Sequence, residues 1–321
     1  MKLDNRLQVE INEIVQETAT IKRFTLVQTN KSALPAFSPG SHIILFLNGR
    51  GGELERRYSL VGDPDRRGNY QIAVKLHEKS SGGSSYLHNK AQIGDILQIS
   101  FPKNYFPLSF QARHHVFIAA GIGITPFLSM MRECKEQGAS FELHYSTKTK
   151  DDCAFHSYLK KEYPQHTQFY FTKQENRINT TILLDQYIGT HVYLCGPAGF
   201  TSSFSRAAAI IGYPNASIHY EYFSTPTIFK PRSFILELTN GSFLTVPAEK
   251  STLDVLLEAG NPVPHSCKVG RCGTCELSIL EGEAEHNDSF LSTKQKESQA
   301  CFLPCVSRSK TKTLKVDYSY K

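Results

Sequence analysis

Three cysteines within nine residues constrain the fold of this chain more than any other feature of its sequence. They lie in the segment HSCKVGRCGTCELSILEG with the spacing Cys267-x4-Cys272-x2-Cys275. Thiols this close must share one tight loop, and Gly270 and Gly273 let its backbone wrap inward and point N–H groups at sulfur. If these three thiols share a site with a fourth, that fourth thiol has to come from a more distant segment.

The spacing of these thiols is that of the ligands in a plant-type [2Fe–2S] centre, where four cysteines hold two irons. A structural zinc site usually shows paired C-x2-C motifs, and only Cys272 and Cys275 form one here. A redox-active dithiol needs that pair alone and leaves Cys267 without a role. Cys301 and Cys305, both in CFLPCVSR, are candidates for the fourth ligand. We take Cys305 as the ligand and Cys301 as a buried thiol.

Composition and charge argue against several classes of function. The 321 residues carry 36 basic and 30 acidic side chains, with no basic run of the kind that follows a phosphate backbone. No apolar run approaches the roughly 20 residues that a membrane helix needs, and MKLDNRLQVE lacks the apolar stretch of a signal peptide. We therefore expect a cytoplasmic protein with reduced cysteines that binds neither nucleic acid nor a membrane.

The chain divides into three segments and a linker. Residues 1–111 contain six short runs of β-branched and apolar residues, which predict a six-stranded antiparallel β-barrel with one helix at SSYLHNKA. In residues 112–224 strand-like and helix-like runs alternate, which predicts an α/β domain with a parallel sheet. Residues 225–233 contain two prolines and little periodicity and read as a linker. Residues 234–321 predict an α+β domain around the cysteines.

Two local patterns give further expectations. TTILLDQYI lies between two strand-like runs of the second segment and predicts a helix. In the third segment, Asn240-Gly241 predicts a tight primed turn of a hairpin. TLDVLLEAG then predicts a short helix that ends at Gly260.

Glycine-containing turns follow two strands of the second segment. AAGIGITPF places Gly121 and Gly123 after a buried strand and Pro126 at the start of the next helix, where a pyrophosphate can approach the backbone. YLCGPAGF ends a later strand of the same sheet. Ligands bind at the carboxyl ends of such strands, so these turns predict a nucleotide site, with a plain βα turn as the alternative.

Taken together, these motifs resemble one family of reductases. PHSCKVGRCGTCELSILEGEAEH with CVSRS is similar to the C-terminal ferredoxin domain of the reductases that serve Rieske-type oxygenases. AAGIGITPF and YLCGPAGF resemble the NAD(P)-binding domain of the ferredoxin–NADP⁺ reductase family. RRYSL and SGGSSYLH resemble that family's flavin motifs, R-x-Y-S and G-x-x-S. The resemblance covers residues 8–320 and is to the phthalate dioxygenase reductase family, with vanillate O-demethylase reductases as the most similar members.

The resemblance implies a role for each site residue. Arg56 would pair with the flavin phosphate, Tyr58 would pack on its ring, and Ser59 would hydrogen-bond a ring nitrogen. Cys195 would lie near the nicotinamide, and Phe223 would cover the flavin. The predicted catalytic residues are Ser59 and Cys195. The predicted cofactor-binding residues are Arg56, Tyr58, Ser59, Gly82, Gly83, Ser84, Ser85, Gly121, Gly123, Thr125, Cys195, Gly196, Pro197 and Phe223. The predicted metal ligands are Cys267, Cys272, Cys275 and Cys305.

The same resemblance implies the cofactors. A ferredoxin domain at the C-terminal end is typical of reductases that carry FMN, whereas relatives with that domain first usually carry FAD. The related reductases mostly use NADH, although Lys148 and Lys150 in YSTKTKDD could receive the 2′-phosphate of NADPH. Those two lysines could equally be part of a solvated loop.

The implied function is electron transfer from NADH, through FMN and a [2Fe–2S] cluster, to a terminal Rieske-type oxygenase acting on an aromatic acid such as vanillate. The alternatives are the same relay serving carnitine monooxygenase or a haem monooxygenase, a stand-alone NADH oxidoreductase, and a redox sensor. A sensor needs an effector segment, and none is left over. Lys268 and Arg271, beside the ligands, predict a basic rim for docking or merely a solvated pair.

Overall fold

The chain forms two compact units in the computed structural model, residues 1–221 and residues 222–321. The structure describes residues 6–49, 52–77, 82–174, 176–223 and 232–318. Most of the predicted linker, residues 225–231, therefore lies outside the described residues, and the predicted domain boundaries remain predictions. Within the described ranges, no helix combines the length and the apolar character that crossing a bilayer requires.

The first sheet has six antiparallel strands, in the order β4-β3-β6-β1-β2-β5. The strands are β1 (Arg6–Thr18), β2 (Ile21–Gln28), β3 (His42–Gly49), β4 (Gly52–Ser59), β5 (Tyr70–Lys75) and β6 (Ile96–Ser100), with helix α1 (Gly83–Asn89) before β6. Side chains alternate along β1, so that Val9 and Ile11 are buried on the core face. A bridge between Leu60 and Ile72 joins the two edges, as a barrel requires.

The second sheet has five parallel strands, in the order β11-β10-β7-β8-β9. Its elements are β7 (His114–Ala120), α2 (Thr125–Gln137), β8 (Phe141–Thr147), α3 (His156–Glu162), β9 (Thr167–Phe171), β10 (Thr190–Cys195), α4 (Ala198–Ile211) and β11 (Ile218–Glu221). Helix α2 begins with Pro126 in its first turn and ends at Gly138, whose φ of 64° closes it in a left-handed cap. Except between β9 and β10, the alternation of strands and helices is the one that the sequence predicts.

The stretch PKNYFPL connects the barrel to the parallel sheet. The Asn104 side chain donates to the Ser38 hydroxyl at 2.7 Å and to the Pro39 carbonyl at 2.8 Å, which fixes the stretch against the barrel. Phe106 is 1% exposed and packs against Phe127 of α2 and Tyr193 of β10, with ring centroids 6.0 and 5.9 Å away. The two domains of the first unit therefore share one apolar core at this point.

The second unit is an α+β domain with a mixed five-stranded sheet in the order β13-β12-β18-β14-β16. Its elements are β12 (Phe234–Leu238), β13 (Phe243–Val246), α5 (Thr252–Glu258), β14 (Leu277–Glu281), β15 (Ala284–Glu285), α6 (Thr293–Ser298), β16 (Cys301–Phe302), β17 (Arg308–Ser309) and β18 (Thr313–Val316). Strands β12 and β18 pair in parallel, whereas the other pairs are antiparallel. The multidomain fold predicted from the sequence is confirmed.

Two local expectations are wrong. The predicted helix over TTILLDQYI is only a 3₁₀ turn, Thr180–Leu183, because Tyr187 and Ile188 stay exposed and leave no apolar face to hold a longer helix. The hairpin between β12 and β13 is not a two-residue primed turn. That turn needs positive φ at both central residues, and of the pair Asn240 and Gly241 only the glycine has it, at 84°.

Candidate functional site

The four predicted cluster ligands form two pairs in the second unit. The Cys267 N–H donates to Cys272 Sγ at 3.5 Å, and Cys267 and Cys272 shift each other's pKa, as do Cys275 and Cys305. Three of these thiols are buried, at 2–3% exposure, and Cys272 is half-buried. The loop after α5 supplies three of the thiols, and the segment after β16 supplies Cys305.

Hydrogen-bond donors converge on the sulfur atoms of the loop. The backbone N–H of Arg271 donates to Cys267 Sγ at 3.3 Å, and that of Val269 donates to the same sulfur at 3.5 Å. The Thr274 hydroxyl donates to Cys272 Sγ at 3.1 Å. Such donors stabilise thiolates, and the bonds from Cys267 and Thr274 lower the pKa of Cys272.

Glycines make room for the loop at two points. Gly273 has a φ of 70°, and a Cβ there would lie 2.3 Å from Cζ of Phe290, so the ring rests directly on the backbone. Gly270 has a φ of 72°, and a Cβ there would lie 2.6 Å from a methyl group of Val306. Both positions therefore need glycine for space as well as for backbone conformation.

The donor set fits a dinuclear cluster better than a single metal ion. Among the described residues, no three or more Cys, His, Asp or Glu side chains converge on one point in a way that could hold a single ion. Two thiol pairs are what a [2Fe–2S] cluster requires, since each iron takes two cysteines. In the bare chain, hydrogen bonding to Cys275 and burial raise the pKa of Cys305, so binding iron there must displace a proton.

Cys301 lies apart from the two pairs, on β16 opposite Ser278 of β14. It is 9% exposed and belongs to the apolar core of the second unit. Burial, with Glu276 nearby, raises the pKa of its thiol to about 11. These properties are those of a structural thiol.

The two predicted flavin motifs meet in the barrel. A Cβ on Gly83 would lie 2.6 Å from Cγ and 2.8 Å from Nε of Arg56, so the arginine side chain lies across α1 at its start. Gly82 has a φ of 118°, a conformation that favours glycine. Ser84 and Ser85 follow in the helix, and Ser84 is 8% exposed. Gly83 therefore leaves room for the side chain of Arg56, whose guanidinium is a group that pairs with phosphates.

Tyr58 and Ser59 end β4 next to this point. Burial raises the pKa of Tyr58 to about 12, so its hydroxyl stays protonated at neutral pH. Ser59 is 6% exposed and pairs across the sheet with His42, a residue that the sequence did not single out. Burial, with Arg57 and Lys103 nearby, lowers the pKa of His42 to about 4, and its Nε2 atom has no hydrogen-bond partner among the described residues. One histidine in an apolar strand gives no sequence signal for this position.

The two predicted nucleotide turns also meet. A Cβ on Gly123 would lie 2.2 Å from the carbonyl oxygen of Cys195, and a Cβ on Gly196 would lie 2.8 Å from Cβ of Ala120. Gly121 has a φ of 56°. The turns after β7 and β10 therefore form one surface at the carboxyl edge of the sheet, followed by Pro197 at the start of α4.

The remaining predicted residues have different degrees of exposure. Thr125 is 2% exposed and donates its hydroxyl to the Ile122 carbonyl at 3.0 Å. Cys195 is completely buried, whereas Phe223 is 46% exposed and belongs to the second unit. Lys148 and Lys150 are both exposed after β8.

Three protein families match successive parts of the chain. The oxidoreductase FAD-binding domain matches residues 7–107, and the N-terminal domain of DmmA-like dimethylamine monooxygenase subunits matches residues 101–218. The 2Fe-2S iron-sulfur cluster binding domain matches residues 238–310. The protein is therefore an oxidoreductase with a flavin-binding domain and a [2Fe–2S] domain.

Relatives match over nearly the whole length. The carnitine monooxygenase reductase subunit of Escherichia coli (strain K12) is 38% identical over 317 residues, 97% of this chain and 98% of its own. The vanillate O-demethylase oxidoreductase of Acinetobacter baylyi is 36% identical over 317 residues, with the same two shares. The solved structure of phthalate dioxygenase reductase is 30% identical, with a TM-score of 0.75 and 98% of each chain covered.

These likenesses define an electron-transfer reductase of an oxygenase system. The chain belongs to the phthalate dioxygenase reductase family, which confirms the family predicted from its sequence. Its relatives are named for different oxygenases, so family membership alone does not name the partner.

Proposed function

We propose that this chain takes electrons from NADH, binds FMN and a [2Fe–2S] cluster, and delivers the electrons to a terminal Rieske-type oxygenase acting on an aromatic acid such as vanillate. The observation that carries the proposal is the pairing of four thiols, two and two, in a chain that also contains a flavin-binding domain. A bound flavin supplies the conversion between the two-electron chemistry of a nicotinamide and the one-electron chemistry of iron.

The protein's own residues bind and orient the reacting groups. Arg56 would pair with the flavin phosphate, and the close approach of Gly83 to its side chain supports this role. Tyr58 would pack against the flavin ring, and the Ser59 hydroxyl would hydrogen-bond a ring nitrogen. The surface formed by the turns after β7 and β10 would receive the nicotinamide nucleotide, with Cys195 near its ring. Hydride transfer needs no general acid or base, so no residue has that role in this proposal.

Each thiol pair would hold one iron of the cluster. Cys267 and Cys272 would form one ligand pair, and Cys275 and Cys305 would form the other. The N–H groups of Val269 and the neighbouring loop residues support thiolate charge at Cys267. Because thiols must lose protons to bind iron, uptake of the cluster should release protons.

The finer assignments have separate support. The position of the ferredoxin domain at residues 234–321, after domains at 1–111 and 112–224 and a linker at 225–233, favours FMN, and chromatography of acid-released flavin tests this choice. NADH is proposed over NADPH by likeness to the family, and the ratio of kcat/KM for the two nucleotides tests it. A cytoplasmic location is proposed because thiols that bind a cluster have to stay reduced.

Reconstitution identifies the partner oxygenase. The purified chain is combined with the terminal components of vanillate O-demethylase and carnitine monooxygenase in separate reactions, and product is measured after NADH addition. We expect at least tenfold more product with the vanillate component. The carnitine component is the second candidate because the relative named for it is 38% identical. Greater product with that component, or with a haem monooxygenase, would contradict the aromatic-acid assignment.

Charge reversal at Lys268 and Arg271 tests whether the oxygenase docks beside the cluster loop. Both flank cluster ligands and are half-buried. The double reversal Lys268→Glu/Arg271→Glu should lower oxygenase-coupled turnover several-fold at low salt while ferricyanide reduction by NADH is unchanged. The control Lys310→Glu/Lys312→Glu makes the same change of charge at two exposed lysines of the same unit. An equal fall in both activities, or an equal effect of the control, would contradict docking at this rim.

A further inference from the structure

A buried carboxylate lies beside the cluster loop and has no part in the proposed function. The Asp288 side chain is 0% exposed, in the segment between β15 and α6. Burial of a carboxylate is costly unless charge-assisted hydrogen bonds compensate for the lost water. The hydrogen-bond and ion-pair partners of this carboxylate therefore indicate which segments it holds in place.

The carboxylate binds groups from three parts of the chain. Its Oδ2 atom accepts from the backbone N–H of Leu291 at 2.8 Å and of Phe290 at 3.2 Å. Its Oδ1 atom accepts from the Ser307 hydroxyl at 3.4 Å. The Lys296 ammonium lies 3.6 Å from Oδ2 and also donates to the Asp288 carbonyl oxygen.

The same segment packs directly on both ligand-bearing stretches. The Ser289 N–H donates to the Gly270 carbonyl at 3.0 Å, and a Cβ on Gly270 would lie 3.0 Å from Cα of Asp288. On the other side, the Asn287 side chain donates to the Val306 carbonyl at 3.2 Å. Gly270 lies between Cys267 and Cys272, whereas Val306 directly follows Cys305.

We propose that Asp288 is a positioning residue that clamps the loop of Cys267–Cys275 to the segment carrying Cys305. It contacts no ligand in this role and acts through the backbone of its own segment, which also places the Phe290 ring on Gly273. The proposal rests on the assignment of the four cysteines as ligands. Its consequence is that the two thiol pairs stand at a spacing ready for the cluster before iron binds.

The replacement Asp288→Asn tests the clamp because it keeps the size of the side chain. An amide has one acceptor oxygen in place of two and no charge to pair with Lys296. Lys296 then loses its charged partner, and the amide NH2 cannot accept the hydrogen bond that the replaced oxygen accepts, so the segment can move away from Gly270. We expect iron to leave the cluster of the full chain at least fivefold faster in the presence of a strong iron chelator.

A matched control separates positioning from stability. Ser251→Ala removes the hydroxyl that accepts from the Asp254 N–H at 3.0 Å and caps α5, in the same unit but in a different segment. We expect iron release from this control within twofold of the parent. The electron paramagnetic resonance spectrum of the reduced protein should change line shape in Asp288→Asn and remain that of the parent in Ser251→Ala.

Several results would overturn the role of Asp288. Iron release from Asp288→Asn within twofold of the parent would do so, and so would an equal acceleration in Ser251→Ala at equal loss of unfolding stability. If Asp288→Asn does not fold, Ser307→Ala removes the hydroxyl that donates to Asp288 at 3.4 Å and accepts from the Asn287 N–H at 3.2 Å, two bonds of the same clamp. It should still speed iron release more than twofold, and release at the parent rate would refute the clamp. A parent chain that takes up no iron would instead refute the ligand assignment on which the clamp rests.

Discussion

Adding one methyl group at Gly273 tests how the cluster loop is packed. Gly273 lies between two ligands and has a φ of 70°. A Cβ there would lie 2.3 Å from Cζ and 2.4 Å from Cε1 of Phe290. Gly273→Ala therefore strains the backbone and also drives the ring away from the loop.

Backbone strain and overpacking both contribute to the free-energy cost of this substitution. A left-handed conformation costs a non-glycine residue about 1–2 kcal/mol. Overpacking costs about 1–3 kcal/mol, and the low end applies because Phe290 is 47% exposed and can swing outward. We expect Gly273→Ala to lower the free energy of unfolding of the second unit by about 2–3 kcal/mol.

Gly260 supplies the matched control. It lies in the same unit with a φ of 75°, and a Cβ there would meet no atom of the described residues within 4 Å. Gly260→Ala should therefore cost only the backbone strain, about 1–2 kcal/mol. The difference between the two variants measures the clash with the Phe290 ring.

Urea unfolding of the full chain gives the measurement, with the visible circular dichroism of the cluster reporting the second unit. Gly273→Ala should unfold at lower urea than Gly260→Ala. The double variant Gly273→Ala/Phe290→Ala removes the ring and should regain the difference between them. Equal midpoints for the two single variants, or no recovery in the double variant, would refute the contact between ring and loop as the cause.

Further predictions concern acid, the fourth ligand and the flavin. The pKa of His42 is about 4 in the folded protein and about 6.5 in the unfolded chain. Because the unfolded chain binds the proton first, the unfolding free energy of the first unit should fall by about 2 kcal/mol between pH 7 and pH 5. His42→Gln should flatten this dependence of the urea midpoint on pH, and an unchanged slope would count against the burial. Cys301→Ser should keep the visible spectrum of the cluster while Cys305→Ser loses it, and equal loss would point to a shared role. Arg56→Leu should release flavin on dialysis several-fold faster than the neighbouring control Arg57→Leu, with cluster absorbance unchanged in both, and equal release would contradict the phosphate role of Arg56.

Much of the fold could be predicted because burial imposes a period on the sequence. Alternation along β1 leaves Glu10 half-buried while it buries Val9 and Ile11, and continuous apolar runs mark parallel strands covered on both faces. The helix predicted over TTILLDQYI is wrong because no apolar surface packs against Tyr187 and Ile188, which stay exposed. Whether such a run is buried depends on tertiary neighbours.

In the candidate site, too, the features set by local sequence could be predicted, whereas those that depend on tertiary contacts could not. Spacing within a loop is local, so the position of Cys267, Cys272 and Cys275 on one loop could be predicted from sequence. The choice between Cys301 and Cys305 was not decided by spacing, since both lie in one short segment. The clamp at Asp288 could not be predicted, because its partners come from positions up to 19 residues away and become neighbours only after folding.

Iron, acid-labile sulfide and flavin, measured together on the anaerobically purified full chain, give the most direct test that one polypeptide combines both redox groups. We expect about two irons, about two sulfides and about one FMN per chain. A colourless chain that holds a single zinc, with neither labile sulfide nor flavin, would contradict the proposed function.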